Sequence, residues 1–169
     1  KTNSSVGSGG SDPATIGVST RTDGTQRTFT ETLLKEVVAE VFVSGGSPKI
    51  LMVGAAGKQK TSTFAGIAAQ RFMAPADKQS TIIGAADVYL SDFGTISVVP
   101  NRFIPADSGD SGEVAFVLDP EMAAVAYLRP FATNELAKVG DADVTQLLVE
   151  YTLEVKNEAA HAIIADLAE

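Results

Sequence analysis

The chain has no cysteine, a single histidine and no apolar run near the length of a membrane span. Each absence removes a class of chemistry. Without cysteine there is neither a disulfide framework nor a thiolate metal site, and the redox compartment is left open. His161 alone cannot make a zinc site of ordinary composition unless carboxylates supply the remaining ligands, so it is expected to be a strand or turn residue. Crossing a bilayer takes about 20 consecutive apolar residues. With no such run and no signal peptide at the front, a soluble protein without a membrane partner is expected. Positive charge is also scarce: 13 Lys and Arg stand against 21 Asp and Glu, a formal net charge of -8. A nucleic-acid groove needs clustered cations to displace counterions from phosphates, and no cluster is visible, so tight nucleic-acid binding by this chain is not expected.

What is present suffices for one ordinary domain, since a single core organises roughly 100 to 200 residues. A composition of 44% hydrophobic and 20% charged residues implies a packed core rather than wholesale disorder. The acidity concentrates at the end, where residues 135–169 carry eight acidic side chains against Lys138 and Lys156. Residues 1–28 are rich in Gly, Ser and Thr with little to bury, which predicts a flexible linker unless a neighbour orders it. The first residue is Lys1, as expected of a processed chain or one cut from something longer.

Hydrophobic spacing supplies the elements. Thr28-Phe29-Thr30-Glu31 has the form of a capping box, and Leu33, Leu34, Val37, Val38, Val41 and Phe42 recur at helical spacing behind it. Gly45-Gly46-Ser47-Pro48 stops that helix. Lys49 to Val53 reads as a buried strand, about Gln59 to Gly66 as a second short helix, and Ile67 to Ser80 as a loop. Two alternating runs around Asp92-Phe93-Gly94 predict a hairpin, and Val114 to Leu118 and Ala123 to Leu128 flank a turn at Asp119-Pro120. Leu147, Val149, Tyr151, Leu153 and Val155 alternate with polar residues, which predicts a strand with one buried and one wet face. Ala159 to Leu167 fits either a helix or a turn followed by a final strand; the strand is favoured.

Several short motifs imitate catalytic ones. Asp92-Phe93-Gly94 matches the tripeptide that holds magnesium in kinases, but the catalytic-loop Asp and Asn, the glycine-rich loop and the strand Lys are missing in order, so a turn is the better reading. Val53-Gly54-Ala55-Ala56-Gly57-Lys58-Gln59 resembles a phosphate loop but fails its spacing at Gln59, leaving a glycine-rich strand-to-helix connection. Gly109-Asp110-Ser111-Gly112 resembles a serine-protease nucleophile segment, but the one histidine is in the wrong order for that family. Asp107, Asp110 and Glu113 match no calcium loop and read as a surface charge cluster, although they are also where a small carboxylate-dependent hydrolase would have to place its acids.

Longer blocks carry a different likeness. GGSPKILMVG (Gly45 to Gly54), DVYLSDFGTISVVPNRF (Asp87 to Phe103), VLDPEMAAVAYLRPF (Val117 to Phe131), ELAKVGDAD (Glu135 to Asp143) and QLLVEYTLEVKNEAAHAIIADL (Gln146 to Leu167) follow one another in order. Together they resemble the C-terminal half of major capsid proteins of tailed bacteriophages, from about Asp23 to Leu167. The resemblance implies an α+β fold of the Johnson type, also called Hong Kong 97-like: an axial domain with a mixed sheet and flanking helices, and part of the peripheral-domain strands. It further implies a linker at 1–28, an axial-like region at 29–145 and peripheral-like strands at 146–169.

The implied function is that of a structural, non-enzymatic subunit of an icosahedral virion shell around double-stranded DNA, assembled in the host bacterial cytoplasm. It has no catalytic, cofactor or metal residues, and other copies of the same protein, as hexamers and pentamers, are its partners. An encapsulin-like compartment shell is the alternative on the same fold. The N-terminal arm, extended loop and spine helix of that family have no counterpart here, so the isolated chain is expected to be monomeric or weakly associated. Phe93 at a loop tip, Arg102 and Arg129 are the expected subunit contacts, because aromatic and Arg side chains are common anchors.

Overall fold

The computed structural model describes residues 3–11, 19–64, 87–104, 113–138 and 140–168. The loop expected over 67–80, the last residues of the expected second helix, and Asp107, Asp110 and the Gly109–Gly112 motif lie outside the described residues. The chain divides into two compact units, Lys1–Pro120 with Glu158–Glu169, and Glu121–Asn157. The second is thus an insertion in the first, and the boundaries expected at 28/29 and 145/146 are not where the chain divides. The reason is the final strand, Ala162–Ala168, which belongs to the sheet of the larger unit rather than to the strands before it.

The larger unit is an α+β body on a mixed sheet. Its strands are β1 (Asn3–Ser5), β2 (Arg27–Thr28), β3 (Ile50–Val53), β4 (Val88–Ser91), β5 (Gly94–Pro100) and β6 (Glu113–Leu118), with β9 (Ala162–Ala168) from the chain's end. The order across the sheet is β1-β9-β6-β3-β5-β4, with β2 also on β9. β3 pairs parallel with β5 and antiparallel with β6, β6 antiparallel with β9, and β9 parallel with both β1 and β2.

Register aligns the apolar side chains. Leu51 stands opposite both Val98 and Val117, Ala115 opposite Ile164, and Tyr89 opposite Ile96, all of them buried. Period-two burial on one face is what the alternation along each strand dictates. Leu34, Val37, Val38 and Val41 of helix α1 (Glu31–Val43) complete that core together with Phe29 and Phe64, whose rings meet edge-on at 5.2 Å. Each fully buried aliphatic side chain stabilises the fold by about 1.5–3 kcal/mol relative to exposure.

α1 is the expected helix with a shifted start. Thr30, not Thr28, is its N-cap, with Oγ1 accepting from Leu33 N at 3.4 Å. Thr28 is taken by β2, opposite Ala168. The Glu31 carboxylate accepts from the Tyr89 hydroxyl at 3.1 Å and pairs with Lys35 at 2.9 Å. Burial, together with the Glu31 charge, pushes the Tyr89 phenol well above its usual range, so it remains a donor. The helix ends as expected, with Gly46 N donating to Val41 O and Gly45 N to Phe42 O, a Schellman pair.

Helix α2 (Ala55–Thr61) starts earlier than expected, directly after Gly54. The signal misjudged was the glycine-rich connection itself. Glu113, 3% exposed at the start of β6, accepts from Gly57 N at 3.0 Å at the first turn of α2. A Cβ on Gly54 would overlap the Glu113 carboxylate and could be seated only by moving that side chain from the start of α2. The loop that imitates a phosphate cradle holds an anion of its own chain, as the unpaired amides and dipole of a helix start favour.

The front segment is not the expected free linker over its described residues. β1 and β2 dock on β9, and Asp166 ties the two together. Asp166 is buried with φ 59°, beside a register shift between β6 and β9. Asp and Asn are among the few side chains that adopt this left-handed conformation readily. Its carboxylate accepts from Gly7 N at 2.7 Å and from Arg21 Nη2. Burial alone would raise its pKa, but the hydrogen bonds from Gly7, Arg21 and Gly24 and the Arg21 charge outweigh it and hold the carboxyl below its usual value.

In the smaller unit β7 (Ala123–Glu135) and β8 (Thr145–Val155) form an antiparallel two-stranded ribbon. β7 runs on past the expected Leu128, through bulges on either side of Arg129. The face expected to be buried is open: Val125, Tyr127, Leu147, Tyr151, Leu153 and Val155 are 47–67% exposed. Alternation is there, but covering a sheet face takes a second layer, and none of the described residues of this unit forms one.

Two outcomes are expected. Gly54→Ala should cost about 2 kcal/mol or more, read as a lowered urea midpoint, and more than the conservative Glu113→Gln; equal stability to wild type would mean that the carboxylate is not seated against α2. Because the Asp166 carboxyl is depressed in the folded state, its stabilisation is complete above the ordinary carboxylate value of about 3.9 and is lost as pH falls through the lower folded value. Acid titration followed by circular dichroism should therefore show a shallower loss of stability below about pH 4 for Asp166→Asn than for wild type.

Candidate subunit-contact surfaces

Phe93 occupies the two-residue turn between β4 and β5. Ser91 rather than Asp92 secures it: Phe93 N donates to Ser91 Oγ at 3.3 Å, and the Ser91 hydroxyl donates to Gly94 O at 2.7 Å. Gly94 has φ 134°, which glycine alone adopts without cost. This places the Phe93 ring 4.8 Å from Phe42, near the end of α1. Both rings remain about half exposed, at 42% and 54%, and Val43 beside them is more exposed still. The pair is thus an apolar surface knob built from two elements. Sequence reasoning named Phe93 but placed Phe42 in the apolar stripe of the helix; Val41 is the residue that points into the core, and Phe42 lies one step around from it.

Arg102 sits in a turn just after β5. Asn101 shapes that turn, with N donating to Val53 O at 2.8 Å and Oδ1 accepting from Phe103 N at 2.9 Å. Arg102 is exposed and has no ion pair among the described residues, and Phe103 next to it is 87% exposed. Phe103 was not singled out in the sequence; an aromatic directly following an Asx turn is the signal that could have found it.

Arg129 is differently placed. It meets Glu150 across the ribbon in a two-pronged pair, Nε to Oε2 at 2.7 Å and Nη2 to Oε1 at 2.5 Å. Its guanidinium is already matched within the chain, in the fork geometry that suits carboxylates. Next to it Tyr127 and Tyr151 face each other directly, with ring centroids 6.0 Å apart. Phe93 and Arg102 belong to the larger unit and Arg129 to the smaller.

The acids considered for hydrolysis do not form a described centre either. Glu113 is turned inward onto α2, and among the described residues it is the only acid lining the open cleft of about 450 Å3 beside that helix, where Phe29, Gln59, Lys60 and Thr63 are among its neighbours. Among the described residues no three His, Asp or Glu side chains stand as a metal-binding group. His161 lies between a short 3-10 helix, Glu158–Ala160, and β9, and its Nδ1 accepts from Asp119 N at 3.2 Å. Since a backbone N–H can only donate, the imidazole carries its proton on Nε2 in this arrangement. Asp119 is buried and accepts from Ser47 N at 3.0 Å, so this pair fastens a turn.

The structure is similar to the holo-SrpI encapsulin complex from Synechococcus elongatus PCC 7942, at 14% identity and TM-score 0.47 over 83% of this chain and 50% of that one. It is also similar to a structure of Mycobacterium phage Ogopogo, at 15% identity and TM-score 0.46 over 96% of this chain and 61% of that one. The chain thus spans less than two thirds of the length of either. No curated protein matches it. A family model described as SU10 major capsid protein matches residues 2–168, nearly the whole chain, and the chain therefore belongs to the SU10 major capsid protein family.

Proposed function

We propose that the chain is a wall-forming part of the shell subunit of a tailed bacteriophage, assembling with other copies into hexamers and pentamers around double-stranded DNA in the bacterial cytoplasm. The single observation that carries this is the family match over residues 2–168. In the Johnson-fold scheme implied by the resemblance, the sheet unit takes the axial role and the ribbon Glu121–Asn157 the peripheral one. Phe93 with Phe42, and Arg102 with Phe103, are the contacts to neighbouring copies. Half-exposed aromatics at loop tips lose their remaining water contact on docking and are common anchors of interfaces. Arg129 contributes to the shape of the ribbon through Glu150 rather than as a free anchor.

A net charge of -8 opposes close approach to packaged DNA, which suits a container wall. The role needs no catalytic residue, cofactor or metal.

In the parent protein carrying this chain, Phe93→Asp combined with Phe42→Asp should lower the yield of closed particles in electron microscopy by tenfold or more, while the isolated chain keeps its far-ultraviolet circular dichroism and sediments as a monomer or weak oligomer. Wild-type particle yield from the double variant would refute the contact assignment. Purified particles that contain a protein cargo in place of DNA would refute the viral reading in favour of an encapsulin-type compartment.

A further inference from the structure

The two described legs of the front segment, 3–11 and 19–28, leave and rejoin one edge of one strand. Asn3–Ser5 pairs with Ala162–Ile164, and Arg27–Thr28 pairs with Leu167–Ala168. Between these points the legs close on each other, through the Ser11–Thr22 bridge and through Thr25 N donating to Ser8 O at 2.9 Å. Asp166 stands between the two docking points. The bend in β9 turns its carboxylate onto both legs at once, with Gly7 on the first and Arg21 and Gly24 on the second. Asp23 holds the remaining Arg21 terminal nitrogen at 3.0 Å, and Arg27 stands opposite Leu167.

What the legs lack is apolar anchoring. No large apolar side chain of their described residues is buried. Their other attachments are polar: Asn3 Nδ2 donates to Ala159 O at 2.8 Å and to Ser44 Oγ at 3.2 Å, and Arg27 Nη2 to Ser5 Oγ at 2.8 Å. The core beneath is held by burial of aliphatic and aromatic side chains. Detaching the legs therefore breaks a short set of hydrogen bonds and one buried ion pair but leaves the apolar core intact. Segments attached in this way open at lower free energy than the body they cover.

We infer that the legs 3–11 and 19–28 form one strap that unlatches as a body from the edge of β9, with the Asp166 carboxylate as its latch, while the core of the unit stays folded. Unlatched, the strap uncovers the backbone donors and acceptors along the edge of Ala162–Ala168. The strap is thus a removable edge cover, and the left-handed conformation of Asp166 aims the latch at both legs.

Hydrogen exchange followed by mass spectrometry on the wild-type chain, Asp166→Asn and Arg21→Gln tests this at neutral pH. Asn retains access to the left-handed conformation while removing the charge. The expected result for Asp166→Asn is exchange at least tenfold faster in peptides from both legs, with peptides from Glu31–Val43 and Ile50–Val53 unchanged; Arg21→Gln should show the same pattern, with a smaller rise. Equal acceleration in the core, acceleration in one leg only, or unaltered legs would each overturn the proposal. Should Asp166→Asn fail to fold, the wild-type chain in sub-denaturing urea decides. Leg amides should then exchange through an opening with a weak urea dependence and core amides through one with a steep dependence; one shared dependence would overturn the latch.

Discussion

The larger unit depends on the strand Ala162–Ala168 lying inside the sheet rather than at its rim. It hydrogen-bonds β6 on one side and both β1 and β2 on the other, and Ala162, Ile164, Ala165 and Leu167 along it are at most 1% exposed. The end of the chain therefore completes a sheet begun at its front, and every pairing it makes is distant in sequence. Its pairing with β6 repays its loop-closure entropy only when the apolar core beneath is assembled, which makes that core cooperative. It also explains how a ribbon can be inserted without dividing the core. The chain departs after Asp119 and returns before Glu158, and His161 joins both sides of that gap, through its ring to Asp119 N and its backbone N–H to Glu158 O at 3.1 Å.

Two buried carboxylates do much of the remaining work, and both are ligands for the chain's own amides. Glu113 fills the start of α2, and Asp166 gathers Gly7, Gly24 and Arg21. A buried carboxylate is tolerable only when its oxygens find donors, and clustered amides at a helix start or a glycine-rich turn supply several at once. The same physics that lets a glycine-rich loop seize a phosphate here lets one part of the chain position another. Motifs with a catalytic outline can thus serve a purely architectural end, and the presence of an internal carboxylate is what separates the two cases.

Much of the fold was legible because it follows from spacing alone. The helical stripe Leu34, Val37, Val38 and Val41, the hairpin about Asp92-Phe93 and the final strand all arise from local period and turn chemistry. What was not legible is non-local. Thr28 and Thr30 are equally good caps until β9 claims Thr28, and the Ser/Thr/Gly front reads as linker because its partner, Asp166, is more than a hundred residues away. Gly54 announces a turn but not the carboxylate seated against it. For the contact surface, the sequence could nominate an aromatic at a loop tip, but not that Phe42 would stand beside it or that Arg129 would already be matched.

The ribbon presents the converse problem. Its cross-strand pairs, Tyr127 with Tyr151, Val125 with Leu153 and Arg129 with Glu150, are each of a kind that contributes about 0.2–1 kcal/mol. A two-stranded ribbon held by such terms is marginal by itself, and an apolar face of this extent is unusual on an isolated soluble unit. Leu147, Tyr151, Leu153 and Val155 along one face of β8 keep the period-two spacing of a strand that buries one side. The sheet unit carries the burial that makes it fold; the ribbon carries a face whose burial its own described residues do not supply.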